Sequence, residues 1–167
     1  MARYFFRDTD EVGDAEFDIS GQEYLLLMER CFKYCKSVSF RAHPESKKEV
    51  ALLDHQLPIT DYVLELYQSM GERGVQTSSG LIPFEIKHYE LAPAVKAYIL
   101  TQSNNLWGWI CDCDHQNPED IAFFRADGSI FLYTSIHDGE CFLISYDNEH
   151  ISDILSIGNW IQVDDEP

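Results

Sequence analysis

Residues 121–145, IAFFRADGSIFLYTSIHDGECFLIS, decide the fold of this chain. Two Asp-Gly pairs, Asp127-Gly128 and Asp138-Gly139, separate three short runs of apolar side chains. Asp-Gly favours tight hairpin turns whose central residues need positive φ, and short apolar runs bounded by such turn residues are typical of strands. We therefore predict three consecutive antiparallel strands, over 121–125, 130–134 and 141–145.

The flanking segments extend this meander. Residues 106–113 predict a fourth strand ahead of the hairpins, because aromatic and apolar side chains alternate there with others. After the last hairpin, Asp147 or Asn148 caps a short predicted helix over 149–157, and Gly158 suits its left-handed end. Residues 160–163 then close the sheet as a last strand.

The first 105 residues are predicted to be mainly helical. Ser20-Gly21-Gln22-Glu23 matches a capping box, in which the Ser and Glu side chains each satisfy a free backbone N–H at a helix start. Pro93 suits the first turn of another helix. We predict helices over 20–36, 61–70 and 93–103, and strands over 3–7, 15–19, 38–41 and 84–88.

These elements predict an α+β fold, in which a helical N-terminal part packs on a C-terminal antiparallel sheet of meander hairpins with one late helix. A chain of 167 residues suits a single domain, 1–167. The Ser/Gly loop over 76–80 leaves open a division into two sub-lobes, 1–75 and 81–167.

The charge of the chain limits its partners. It has 29 acidic residues against 12 Lys plus Arg, a formal net charge of -17, yet 45% of its residues are hydrophobic and 13% aromatic. Such a chain can bury a core, so the charge lies mostly on a folded surface. That surface repels nucleic acid and anionic membranes and attracts basic partners. Without a membrane-spanning run or signal peptide, the chain is predicted to be cytoplasmic.

The five cysteines are predicted to be reduced thiols, since their number is odd and no secretion signal precedes them. Cys111, Cys113 and His115 would share one face of a strand, which raises the question of a metal site. Alternate strand positions suit zinc poorly, however, and buried free cysteines are ordinary core residues. We predict no metal and no disulfide at Cys111 and Cys113, and no cofactor.

No catalytic motif is recognisable. The chain has no Gly-x-Ser-x-Gly, no glycine-rich phosphate loop and no dinucleotide fingerprint, so no catalytic residue is predicted. Catalytic groups need only meet in space, so a small-substrate enzyme remains the alternative. It would use some of Asp112, Asp114, His115 and His137. A DNA mimic is a third reading, but the acidic clusters are short and irregular.

One acidic cluster stands beside the aromatic-rich stretch 106–113. Its members, with the neighbouring histidine, are Asp112, Asp114, His115, Glu119 and Asp120. Carboxylates on loops next to a rigid sheet suit the capture of a basic protein. We predict that these residues form the partner-binding surface. The acidic clusters near the two ends are interpreted as solvated surface.

The small acidic α+β profile, together with the aromatic-rich hairpins of the last 60 residues, resembles that of bacterial immunity proteins. The resemblance implies a protein that neutralises a cognate toxin, for example a nuclease, by binding it. Carboxylates would then pair with the Lys and Arg that a nuclease uses on phosphate, and exposed aromatic side chains would supply anchors.

Overall fold

The computed structural model describes residues 1–7, 18–44, 52, 54–110 and 117–163, and it has the predicted α+β architecture. In these residues it contains four helices: α1 (Gly21–Tyr34), α2 (Asp61–Ser69), α3 (Pro93–Gln102) and α4 (Ser152–Leu155). The strands are β1 (Ala2–Arg7), β2 (Ser37–Ala42), β3 (Gly74–Thr77), β4 (Gly80–Pro83), β5 (Glu85–Glu90), β6 (Glu119–Phe124), β7 (Ile130–Ser135), β8 (Glu140–Ser145) and β9 (Ile161–Val163).

Seven strands form one sheet in the order β5-β2-β6-β7-β8-β1-β9, and β3 and β4 form a separate hairpin. Every pairing in the large sheet is antiparallel. The predicted meander is confirmed as β6, β7 and β8. The N-terminal part contributes more strand than its predicted helical character implied, because β1, β2 and β5 belong to the same sheet.

The two Asp-Gly segments do turn the chain, although by different geometries from the predicted two-residue turns. Between β6 and β7 the loop spans residues 125–129, and Gly128 has a φ of 84°. Between β7 and β8, Ile136–Asp138 form one 3-10 turn that ends at Gly139 with a φ of 63°. Residues 106–110 are not strand, contrary to prediction, and 111–113 lie outside the described residues.

The helices lie on the two faces of the sheet. The larger core joins α1, α3 and α4 to one face and includes Trp109, whose Nε1 donates to the Tyr24 hydroxyl at 2.9 Å. Of the four described helices, α2 packs on the other face, where Val63, Leu66 and Tyr67 contact side chains of β6. The apolar stripes of α1 and α2 explain this arrangement, because each helix must bury its own stripe against the sheet.

Two local predictions in the N-terminal part are wrong. Ser20 makes no side-chain capping bond to α1; Gly21 follows it with a φ of 56°, and its N–H donates to the Asn104 carbonyl at 2.9 Å instead. The segment 76–80, predicted as a loop, forms the turn and ends of the β3–β4 hairpin. The strand predicted over 15–19 falls partly outside the described residues, and 18–19 are not strand.

Three of the cysteines are core residues. Cys31, Cys35 and Cys141 are buried and free, and burial raises the pKa of each thiol above its ordinary value. Their thiols are therefore protonated and poorly reactive. Cys111 and Cys113 lie outside the described residues. Among the helices in the described part of the chain, none is long and apolar enough to cross a membrane.

Candidate functional site

The predicted partner-binding residues fall into two groups. Glu119 and Asp120 begin strand β6, and both are fully buried. Asp112, Asp114 and His115 lie outside the described residues. The expectation that Glu119 and Asp120 are exposed carboxylates on a loop is therefore wrong, because both residues belong to strand β6 and neighbouring elements bury them.

Asp120 is buried because the surrounding elements supply its bonds. Its carboxylate lies 3.0 Å from Arg41 Nη1 of β2 and accepts the Ile136 backbone N–H at 2.8 Å. Arg73 Nε lies 3.7 Å away. The Asp120 backbone has a φ of 54°, the only positive value among the described non-glycine residues. Such a conformation persists only where the surroundings hold it, and it often marks a functional site.

Glu119 lies beside Asp120 and bonds to the β7–β8 turn. Its Oε2 is 3.0 Å from His137 Nε2, and the His137 side chain is 43% exposed. Its Oε1 is buried with no hydrogen-bond partner in the described structure. Burial raises the pKa of the Glu119 carboxyl, and the nearby Asp120 charge raises it further against the opposing effect of His137. Burial likewise raises the pKa of Asp120.

Two arginines complete what we call the Glu119–Asp120 cluster, defined as Arg41, Arg73, Glu119, Asp120, His137 and Asp138. Arg41 donates to the carbonyls of Tyr67 and Gly71 as well as to Asp120. Arg73 Nη2 donates to Asp138 at 2.9 Å and reaches Ser135 Oγ at 3.3 Å. The cluster therefore joins β2, the chain after α2, β6 and the β7–β8 turn by charged hydrogen bonds.

A pocket of about 400 Å³ adjoins the cluster. Its polar lining residues include Arg41, Arg73 and Glu72, and its apolar ones include Tyr67, Phe84 and Ile86. His137 is not among its described lining residues. The pocket therefore meets the arginines of the cluster, while the Glu119–His137 pair reaches solvent elsewhere.

Chemically, the pair of Glu119 and His137 can hold and release a proton at an exposed imidazole that a buried carboxylate orients. The described residues contain no group of three or more His, Cys, Asp or Glu placed to hold a metal ion. Sequence reasoning named His137 for the enzyme alternative and missed both arginines. One feature of the sequence could have drawn attention to Arg41, since it is a charged residue at the end of the predicted strand 38–41. Its ion-pair partner, Asp120, lies 79 residues away and could not be inferred from that feature.

The pKa shift of Glu119 predicts a pH dependence. A carboxyl group whose pKa is higher in the folded chain stabilises the fold below its unfolded pKa, and this contribution is lost as pH rises through the folded pKa. We therefore expect Glu119→Gln to gain stability relative to the parent protein as pH rises above the ordinary pKa of glutamate, about 4.3, since glutamine stays neutral. Urea unfolding at several pH values measures the difference.

Asp138→Asn is the matched control with the opposite sign. The hydrogen bond from Ser135 lowers the pKa of Asp138, so its stabilisation is present above the unfolded pKa and is lost as pH falls. The asparagine variant should lose stability relative to the parent as pH rises. A Glu119→Gln difference that is flat or falls with pH would show that burial does not control this carboxyl group.

Comparison with protein-family models, curated proteins and solved structures finds no match for this chain. The class of the molecule is therefore described from its fold and from the Glu119–Asp120 cluster. It is an antiparallel α+β protein with a buried cluster of ion pairs at one end of its central strands.

Proposed function

We propose that this protein is an acidic binding module that captures a basic protein, and that it acts as an immunity protein against a cognate toxin such as a nuclease. The observation that carries the proposal is the placement of charge. Five of the six arginines pair with carboxylates within the described structure, while nine further described carboxylates stay exposed and unpaired, and this excess favours a cationic partner. In this proposal the protein acts in the cytoplasm of a bacterium, where it binds the toxin.

Five of the six arginines form ion pairs within the described structure. The pairs are Arg7–Glu140, Arg30–Asp153, Arg41–Asp120, Arg73–Asp138 and Arg125–Glu149. Each pair neutralises one cation, so the arginines contribute little positive charge to the surface. Each pair uses one carboxylate as well, so the pairing leaves the net charge of -17 unchanged.

Many exposed carboxylates have no ion-pair partner among the described residues. They are Asp18, Glu23, Glu29, Asp54, Asp61, Glu65, Glu72, Glu90 and Asp127. Asp61 and Glu65 lie one turn apart on α2, where like charges destabilise a helix slightly. Leu64 between them and Ile59 just before the helix are exposed apolar side chains.

The outer face of α2, defined here as Ile59, Asp61, Leu64, Glu65 and Glu72, therefore combines carboxylates with apolar side chains. Interfaces gain affinity where an apolar anchor is desolvated and charges pair around it. We propose this face as the described part of the partner surface. Asp112 and Asp114 remain proposed members, whereas Glu119 and Asp120 cannot contact a partner while they are buried.

The proposed mechanism has two stages. The negative field speeds the encounter with a cationic partner and weakens as salt screens it. Carboxylates of the α2 outer face then lose water against Lys or Arg side chains of the partner. A toxin that uses these cations to hold phosphate is thereby occluded from its substrate.

The test begins with the neighbouring gene, because a secreted protein with a toxin-like C-terminal domain encoded there supplies the partner. Binding is measured by surface plasmon resonance as a function of salt. We expect Asp61→Asn with Glu65→Gln to weaken the complex by about 2–5 kcal/mol, mainly through faster dissociation, because the partner's cation is left unpaired. Asp112→Ala with Asp114→Ala tests the other part of the proposed surface in the same way.

Glu23→Gln with Glu29→Gln is the matched control on α1, which lies on the opposite face of the sheet. It removes the same charge and should lower the association rate slightly while leaving dissociation unchanged. If the α1 and α2 variants change the affinity equally, the interaction is non-specific electrostatic attraction and not binding through α2. If none of these variants changes the affinity for the partner, the proposed surface is ruled out.

A small-substrate enzyme is the second candidate, and the bond between Glu119 and His137 is the observation that favours it. A buried carboxylate behind an exposed histidine is a common acid–base arrangement. If the Glu119–His137 pair is catalytic, Glu119→Gln and His137→Gln should each abolish turnover, and with it any protection against the toxin. If the protein acts by binding through α2, protection in cells should survive both substitutions.

A further inference from the structure

A second groove lies on the α2 side of the sheet, away from the Glu119–Asp120 cluster. Its volume is about 420 Å³, and it runs between α2 and the strands β7, β8 and β1. The lining residues that matter here are Arg3, Tyr62, Leu66, Ser129, Tyr133 and Ile144. It thus has aromatic and aliphatic walls with one guanidinium and a few hydroxyls, a composition typical of sites for small ligands.

Arg3 differs from the other five arginines because no described carboxylate pairs with it. Its Nη2 donates to the Tyr133 hydroxyl at 3.0 Å, and its guanidinium lies 4.5 Å from the Phe142 ring centroid. Its Nε is buried without a described hydrogen-bond partner. The fold therefore holds this guanidinium in place by stacking and one neutral hydrogen bond, and no carboxylate of the described residues forms an ion pair with it.

The strand register explains why Arg3 reaches this groove. Phe142 is paired with Tyr133 on one side and with Phe5 on the other, so all three side chains share the α2 face of the sheet. Arg3 is two residues from Phe5 and lies on the same face. The Tyr133 and Phe142 rings stack with centroids 4.9 Å apart, which gives the guanidinium a rigid aromatic support.

The opposite wall depends on Gly128. A Cβ atom at this position would lie 2.8 Å from the Tyr62 ring, so glycine allows that ring to sit over the β6–β7 turn. Glu65 is the carboxylate that lines the groove, and it is exposed to solvent. On the neighbouring strand, Glu140 is already paired with Arg7 at 2.8 Å.

We propose that this groove binds a small organic acid whose carboxylate pairs with Arg3 and whose flat apolar body lies between Tyr62 and Tyr133. A guanidinium matches a carboxylate in two hydrogen bonds, and aromatic walls suit an aromatic ring. The groove shares Glu65 with the outer face of α2, but its proposed ligand is an anion held by Arg3 and not a basic protein. The net charge of -17 repels anions at long range, but screening within about 8 Å at physiological salt leaves the nearby guanidinium dominant.

The probes are benzoate, 3-phenylpropionate and indole-3-acetate, each compared with its neutral primary amide. Binding to the full chain is followed by isothermal titration calorimetry and by amide chemical-shift changes in NMR spectra. We expect at least one acid to bind with shifts around Tyr62 and Tyr133, and its amide to bind roughly tenfold to a hundredfold more weakly. That range corresponds to the loss of one charge-assisted contact.

Arg3→Gln should weaken binding of the acid by the same factor and leave binding of the amide unchanged. Arg7→Gln is the matched control, because Arg7 shares the strand and the face but is paired with Glu140 and does not line the groove. Glu65→Gln provides a second test in a protein with Arg3 intact, since removal of the nearby negative charge should strengthen acid binding severalfold.

Three results would each overturn the site. The first is that none of the acids binds at about 10 mM, a concentration above the dissociation constants expected for weak binding through a single charged contact. The second is that the amides bind as tightly as the acids. The third is that Arg3→Gln, shown by NMR to be folded, binds the acids as tightly as the parent protein does.

Discussion

Replacing Arg125 by methionine is expected to lower the free energy of unfolding by about 3–5 kcal/mol. The Arg125 side chain is 7% exposed, and it donates to both carboxylate oxygens of Glu149, at 2.6 and 2.7 Å. It also donates to the carbonyls of Ile130 and Ile144. Methionine removes the guanidinium from a buried carboxylate, which keeps the Tyr146 N–H as a donor, and from two carbonyl groups; the loss of these bonds accounts for most of the expected effect.

Urea unfolding followed by circular dichroism measures this loss, with Arg7→Met as the control. The Arg7–Glu140 pair has the same chemistry, but its side chains are 48% and 26% exposed, so we expect a loss below about 1 kcal/mol. The double variant Arg125→Met with Glu149→Leu should recover part of the stability, because it also removes the stranded charge. Equal losses for Arg7→Met and Arg125→Met would refute the assigned role of burial.

Asp120→Ala is expected to cost a comparable amount, about 3–5 kcal/mol. Desolvation opposes the charge of Asp120, as its raised pKa indicates, but the Arg41 side chain is only 4% exposed and would lose its sole described ion-pair partner. Alanine also removes the acceptor for the Ile136 N–H and adopts a positive φ with difficulty.

Asp120→Asn separates these causes, because asparagine tolerates positive φ and keeps an acceptor while it removes the charge. We expect it to cost about 2 kcal/mol, less than the alanine variant. Asp138→Asn is the surface control; the Asp138 side chain is 54% exposed, so its pair with Arg73 should contribute less than about 1 kcal/mol. If asparagine and alanine at position 120 destabilise equally, the backbone conformation contributes nothing measurable.

Much of the fold was predictable because its signals are local. The apolar periodicities of α1 and α2 and the short apolar runs of β6, β7 and β8 mark elements that bury apolar side chains. The two Asp-Gly segments correctly marked where the meander turns. Their geometry differed, since a loop of five residues and a 3-10 turn each need only one glycine at positive φ.

The candidate site was much less predictable. Glu119 and Asp120 follow a polar stretch, and their local composition is that of an exposed loop. They are buried because Arg41, His137 and the Ile136 N–H reach them from other elements. No periodicity encodes such a meeting, because strand order depends on contacts between distant residues. For the same reason, β1 could not be placed between β8 and β9 from the sequence.

By itself, then, the sequence determined the helices, the meander and the total charge of the protein, since each follows from composition or from spacing over a few residues. Only the tertiary structure decided which charges face water. It paired five arginines with carboxylates, left Arg3 without one among the described residues, and buried Glu119 beside an exposed histidine. The physical reason is that the cost of burying a charge depends on the partner that meets it, and that partner comes from elsewhere in the chain.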